Sequence, residues 1–506
     1  MKLIIVFLLS LSMQFTFAQK KDPDAALPAA QEIIKTADGV VKTKGSVTIN
    51  GKSVSYTATT GYMPMKSEDG KVRANIFFVA YTKDNVSDLD KRPITYTFNG
   101  GPGSASIWLH MGVIGPKRIV MSEKGDALTA PYSYTENEFS WLDQTDLVFI
   151  DPVGTGFSRA APGVDKAEFQ GYTEDIQSVG EFIKVYTSKN KRWGSPKFLA
   201  GESYGTTRAS GLSEYLQSAY KMYVNGIVLI SAVLNFQTIQ FVVGNDLPYP
   251  LYLPSYASTS WYYKKLSPEY QSKDLKTLTQ EVEQFAITEY ATALMKGDKL
   301  PKAQYDAVVS KLAKYTGLSE TFIRQTNLRI NLAQYNKELL RSDGKTVGRL
   351  DSRYKGIDKM GAGESPDYNA ELTSWLHSFT PAVNMYIRNE LNYKTDLKYN
   401  MFGSVYPWDN SGDKTGDNLR QAMAQNPYLH LLVQSGYYDG ACDYFNAKYS
   451  MWQLDAAGKL QDRMTWEGYR SGHMMYLRKD DLKTANNHIR DFIKQALPKN
   501  GEAAKF

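Results

Sequence analysis

The stretch KFLAGESYGTTR, running from Lys197 to Arg208, constrains this chain more than any other. An apolar run, Phe198-Leu199-Ala200, ends in Gly201-Glu202-Ser203-Tyr204-Gly205, and helical spacing follows at once in TTRASGLSEYLQSAY. Read as a buried strand turning sharply into a helix, the segment needs small residues two before and two after the serine so that the backbone can bend. Such a turn presents the Ser203 hydroxyl and leaves the N–H of Tyr204 free at a helix N-terminus. That is a place to attack a carbonyl and hold the resulting oxyanion. The pentapeptide alone fits an ordinary strand-to-helix turn equally well, so the rest of the chain must decide.

The surroundings give the turn a fold. GSVTINGKSVSYTATTGYMPM alternates around Asn50-Gly51, a hairpin signal. ANIFFVAYT, PITYTFNGG, DLVFIDP, PKFLAGES and VNGIVLISAVL follow as apolar strands, with the helical TEDIQSVGEFIKVYTSK between two of them. This alternation predicts an α/β fold with a mostly parallel central sheet flanked by helices, and reactive loops at the carboxyl ends of its strands. From about 235 to 377 the pattern turns helical and charged with no obvious buried strand, which reads as an inserted helical cap. NPYLHLLVQSGYYDG and DRMTWEGYRSGHMM return to the sheet, and DLKTANNHIRDFIKQAL closes the chain as an amphipathic helix. The expected organisation is a signal peptide over 1–18, a loose leader over 19–44, the first part of the core over 45–234, the cap over 235–377 and the second part of the core over 378–506.

The signal peptide rests on MKLIIVFLLSLSMQFTFAQ, a lysine and a short apolar run before Thr16-Phe17-Ala18. With no later run of membrane-spanning length, this predicts an exported protein, periplasmic or secreted, without a membrane anchor. A single cysteine, Cys442, excludes an internal disulfide, so a chain of 506 residues must hold itself by burial. The formal net charge of +6 is spread along the chain rather than gathered into a basic face, which argues against nucleic-acid binding.

A nucleophilic serine needs a base, and the base an orienting acid. Of the five histidines, His110, His377, His430 and His488 fall where packing or surface roles are expected, whereas His473 sits in RSGHMM, in a loop after a late strand. Asp439 in LLVQSGYYDGACDYF follows a buried run and is the first choice for the acid, with Asp443 its rival and one of the two a turn cap. The second oxyanion donor is expected from TFNGGPGSAS, where Asn99-Gly100-Gly101-Pro102-Gly103 could wrap the site with backbone N–H groups. No H-E-x-x-H and no cysteine–histidine cluster asks for a metal, and no cofactor is expected.

Taken in order, NGGPGSAS, DPVGTGFS, GESYG, SGYYDGACDYFN and SGHM resemble the serine carboxypeptidases of the α/β-hydrolase fold, from about Gly45 to the C-terminus. The resemblance implies Ser203 as nucleophile, Asp439 as acid, His473 as base, and the N–H groups of Gly101 and Tyr204 as the oxyanion hole. It implies that Asn99, Gly100 and Glu202 meet the terminal carboxylate of a peptide substrate, and that Cys442 and Met474 line the leaving-group side. Recognition of a carboxylate by a carboxyl group requires a shared proton and favours acidic pH. The chain departs from the family in having Thr97 where a tryptophan is usual and Val113 where a second glutamate is usual. An esterase or acyltransferase using the same triad is therefore the alternative, and a catalytically inactive binding protein on the same fold is a more distant one. The prolines and aromatics of residues 244–265 suggest either a rigid wall over the site or packing within the cap.

Overall fold

Asn50 and Gly51, at φ 49° and 73°, turn strand β1 (Val41–Ile49) into β2 (Lys52–Lys66), the positive-φ pair that a two-residue hairpin requires. The computed structural model describes residues 40–497. The signal peptide expected over 1–18 lies outside these, as does most of the leader, and β1 begins inside the segment read as leader. Strand β3 (Val72–Lys83) continues the antiparallel edge by pairing with β2. Beyond it stand β4 (Ile94–Phe98), β5 (Asp146–Ile150), β6 (Lys197–Ser203), β7 (Gly226–Ala232), β8 (His430–Gly436) and β9 (Met464–Tyr469). Their spatial order is β1-β2-β3-β5-β4-β6-β7-β8-β9, antiparallel as far as the β3–β5 pair and parallel from β5 to β9.

Strands β4, β5 and β7 in the middle of the parallel part are buried along their whole length, because helices cover both faces. On one face α1 (Tyr172–Lys189) and α2 (Tyr204–Tyr220) bury Ile176, Phe182, Leu212 and Leu216 against Phe78, Leu199 and Leu229. The other face collects Phe149, Phe198 and Val228 under residues of the later helices. The chain runs from β4 to β5 on one side and returns to β6 on the other, so the strand order reverses between β4 and β6. In open α/β sheets the cleft forms at the carboxyl ends of such a pair.

Between β7 and β8 the chain is largely helical. Helices α3 (Pro248–Tyr262), α4 (Leu275–Phe285) and α5 (Lys302–Thr316) build a separate core around Leu253, Tyr256, Leu278, Val282 and Leu312. A two-residue antiparallel pair, Thr346–Val347 with Lys355–Gly356, interrupts the helices. Helix α6 (Ala370–Met385) runs straight through residue 377, and its Trp375 and Phe379 join the core beneath the sheet. α7 (Thr415–Gln425) also precedes β8, and its Leu419 and Met423 pack with α2 on the opposite face. α8 (Tyr444–Leu454) follows β8, and α9 (Lys479–Ala496) ends the described chain, packing Ile489 and Phe492 on the sheet. Among the described residues no helix is long and apolar enough to cross a membrane.

Candidate active site

The end of β6 and the start of α2 meet at Ser203, whose φ of 60° and ψ of −131° are those of a strained turn. Contacts this close leave no room for side chains. A Cβ on Gly201 would stand 2.1 Å from Gly205 O, and one on Gly205 would stand 2.7 Å from Phe98 O. The loop after β4 presses on the same turn. A Cβ on Gly100 would lie 2.3 Å from Tyr204 N and 2.6 Å from Gly205 N. Glycines at 100, 201 and 205 are thus one requirement, the contact of two backbones. Tyr204 opens α2, so its N–H has no partner within the helix. Gly101, at φ 109°, carries the chain past it.

His473 and Asp439 meet at 2.8 Å, Nδ1 to Oδ2, both buried. The other carboxylate oxygen accepts from the N–H groups of Ala441 (2.8 Å) and Cys442 (3.0 Å), so Asp439 is held by its own loop. Burial opposes charge on His473, but the neighbouring Asp439 carboxylate and Cys442 sulfur outweigh it and hold the imidazole well above its usual range. Asp443 does not reach the imidazole. It caps α8, accepting from Phe445 N at 2.8 Å and Asn446 N at 3.1 Å. Of the remaining histidines, His110 is buried against Tyr81 and Phe149 and pushed down to about 3 by desolvation, His430 bonds the Tyr428 carbonyl, His488 bonds Tyr469 OH, and His377 is exposed. The Ser203 hydroxyl makes its contact with Cys442 Sγ at 3.8 Å, and no hydrogen bond joins it to His473. Asp439, Cys442 and His473 offer three ligand atoms within 4.8 Å of one another. The carboxylate is nonetheless fully engaged by the imidazole and two backbone donors, so the donor set fits a proton relay better than a metal.

Glu202 is buried beside the serine, and desolvation pushes its carboxyl up to about 7. Tyr476 OH donates to its Oε2 at 2.5 Å, and the Asn99 side chain also bonds it. Asn99 is in turn oriented by Leu109 N, which donates to Oδ1 at 3.0 Å. Tyr476 fits because residue 112 is glycine, where a Cβ would stand 2.4 Å from its ring. Next to Gly112, Val113 is buried and apolar. Besides Asn99, the partner of Glu202 is a phenol from the histidine loop, which the sequence reading did not anticipate.

Two further supports were illegible in the sequence. Arg208, wholly buried in α2, pairs with Asp175 of α1 at 2.8 Å and donates to the Asn99 carbonyl at 2.6 Å, tying the glycine loop to the helix that carries the serine. A strap from the insertion, residues 349–352, joins the acid and base loops. Gly440 N donates to Arg349 O (3.0 Å), Ser352 N donates to Tyr438 O (2.9 Å), and His473 N donates to Leu350 O (2.7 Å).

Ser203, His473, Cys442, Met474, Glu202, Asn99, Gly100, Gly101 and Tyr204 all line one cleft of about 400 Å³. Its remaining wall is mainly apolar, with Val233, Phe236, Ile239, Leu372 and Trp375 inside and the half-exposed Phe402 and exposed Tyr406 at its mouth. None of residues 244–265 lines it. Their tyrosines 252 and 256 are buried in the cap's own core, so that segment packs rather than walls the site.

A family model described as serine carboxypeptidase matches residues 49–486 of this chain. Pheromone-processing carboxypeptidase KEX1 of Saccharomyces cerevisiae is 30% identical over 158 residues, 28% of this chain and 20% of the yeast protein. Serine carboxypeptidase-like 33 of Arabidopsis thaliana is 27% identical over 193 residues, 37% of this chain and 36% of that one. The matches thus span about a fifth to a third of these relatives' length. The crystal structure of the Saccharomyces cerevisiae KEX1 enzyme superposes with a TM-score of 0.53 at 14% identity, covering 88% of this chain and 93% of the other. The likeness establishes the α/β-hydrolase fold.

Proposed function

Because this chain belongs to the serine carboxypeptidase family, we propose that it is an exported hydrolase that releases C-terminal amino acids from peptides through an acyl-enzyme on Ser203. The observation that carries the reading is the convergence of Ser203, the His473–Asp439 pair and the glycine loop on one cleft. With Nδ1 engaged by Asp439, the other imidazole nitrogen is left to take the serine proton. Ser203 Oγ turns from Cys442 to His473 and attacks the last peptide carbonyl. The N–H groups of Gly101 and Tyr204 hold the oxyanion. His473 then passes the proton to the departing amino acid, and water repeats the sequence on the acyl-enzyme.

Glu202, Asn99 and Gly100 meet the terminal carboxylate of the substrate. A carboxyl group that is still protonated near neutrality can donate to that carboxylate, and burial keeps Glu202 in this form. Cys442 and Met474 face the leaving amino acid. Export rests on the N-terminal sequence through Ala18. Val113, where a second acid would sharpen carboxylate recognition, favours ester turnover as the alternative. A peptide library followed by mass spectrometry separates the two. Stepwise loss of C-terminal residues that disappears in Ser203→Ala supports the carboxypeptidase. Ester hydrolysis dependent on Ser203 with no shortening of any peptide refutes it.

A further inference from the structure

The cleft contains one cation that none of these steps uses. Arg349 lines the same cavity as Ser203 and is its only lysine or arginine among the described residues. Its carbonyl is anchored by Gly440 N, and the next residue, Leu350, receives the N–H of His473, so its backbone is fixed beside both loops of the acid–base pair. Its side chain is exposed, and among the described residues no hydrogen bond or ion pair takes up the guanidinium. The acid whose charge reaches it, Glu371, is buried and already accepts the Leu350 N–H at 2.7 Å. An unpaired guanidinium in a mainly apolar cleft has a fixed chemical preference, a planar anion that can accept two parallel N–H bonds.

We propose that Arg349 receives a carboxylate of the bound peptide, which makes it a specificity-determining residue; this rests on the carboxypeptidase reading above. The carboxylate can come from an aspartate or glutamate side chain near the C-terminus, or from the terminus itself. The second source complements the single-glutamate arrangement around Glu202, where a phenol stands in for a second acid. Since the Arg349 side chain makes no hydrogen bond or ion pair among the described residues, replacing that side chain is expected to leave the fold and the His473–Asp439 pair intact.

The test reads binding rather than turnover, so it is independent of whether peptides are cleaved. Calorimetric titrations of Ser203→Ala, alone and combined with Arg349→Gln or Arg349→Lys, are run with blocked peptides ending in Glu, their Gln counterparts, and neutral peptides as free acids and amides. A side-chain source is expected to show about tenfold weaker binding of Glu peptides in Arg349→Gln, with Gln peptides unchanged and partial recovery in Arg349→Lys. A terminal source is expected to show the same loss on every free acid and none on the amides. Equal affinities with and without Arg349 across the whole set, or no binding of any peptide to Ser203→Ala, overturn the proposal. Lack of peptide turnover by the unmodified enzyme, with the Arg349-dependent binding intact, would fault the carboxypeptidase reading alone.

Discussion

Gly100→Ala adds one methyl to the molecule and should disable it. The new carbon would stand 2.3 Å from Tyr204 N, 2.6 Å from Gly205 N and 2.8 Å from Glu202 O. All three are backbone atoms, so no side chain can swing aside. Arg208 further ties the Asn99 carbonyl to α2, which stiffens the pair against sliding apart. Ordinary contact begins at 3.4 Å, so the glycine loop must withdraw from the serine turn by about 1 Å, a misplacement that alone can cost on the order of a hundredfold in rate. The two proposed oxyanion donors sit on opposite sides of that gap. Losing one is worth about 10²–10³ in rate, or roughly 3–4 kcal/mol. Overpacking should also lower stability by about 1–3 kcal/mol, which a chain of this size can survive. The assay is the rate of Ser203 acylation by an activated ester well below the melting temperature, with circular dichroism to establish folding. Gly163→Ala is the control, because Gly163 also has positive φ (81°) but meets nothing within 4 Å. A folded Gly100→Ala protein that acylates within threefold of the unmodified enzyme would refute the argument that these two backbones must touch.

Other expectations follow from the same geometry. Asp439→Asn should reduce acylation by about 10⁴-fold, since the amide no longer fixes the imidazole tautomer, while Asp443→Asn should retain most activity because asparagine still caps α8; equal losses in the two would sink the assignment. Peptide KM should be flat below pH 7 and rise above it as Glu202, pushed up to about 7 by burial, loses its proton and repels the substrate carboxylate. Tyr476→Phe removes a hydrogen bond that favours the ionised form, so this limb should move to higher pH with kcat largely preserved; an unmoved limb in the pH profile would show that the phenol does not act on Glu202.

The sequence by itself determined the parallel sheet, the strained serine turn and the pair of loops that bring Asp439 and His473 forward. These are local or periodic properties. Unbroken apolar runs need two covered faces, and Gly201 and Gly205 flank a serine that only a sharp strand-to-helix turn accommodates. Even Gly100, whose role is a contact with a segment a hundred positions away, was legible as part of a glycine-rich loop. Asp439 is the first choice over Asp443 from its place after a buried run, and the resemblance leans the same way; in the tertiary structure only the Asp439 carboxylate meets the imidazole, while Asp443 caps a helix. What carries no periodicity stayed hidden. Tyr476 reads as one more aromatic among 35 tyrosines until it is seen on Glu202 in the space Gly112 leaves. Nothing in the sequence singles out Arg208, yet it is buried because Asp175 and the Asn99 carbonyl are both there to meet it. The strap at 349–352 lies in a segment whose pattern announces only helices, and Arg349 gains its place in the cleft through backbone bonds to loops about a hundred residues later. Of the two readings of residues 244–265, wall or cap packing, the structure has the packing, a choice the sequence left open because proline and tyrosine signal rigidity and burial without saying against what. Pairings of this kind are set by which surfaces the fold brings together, and that is decided only in the tertiary structure.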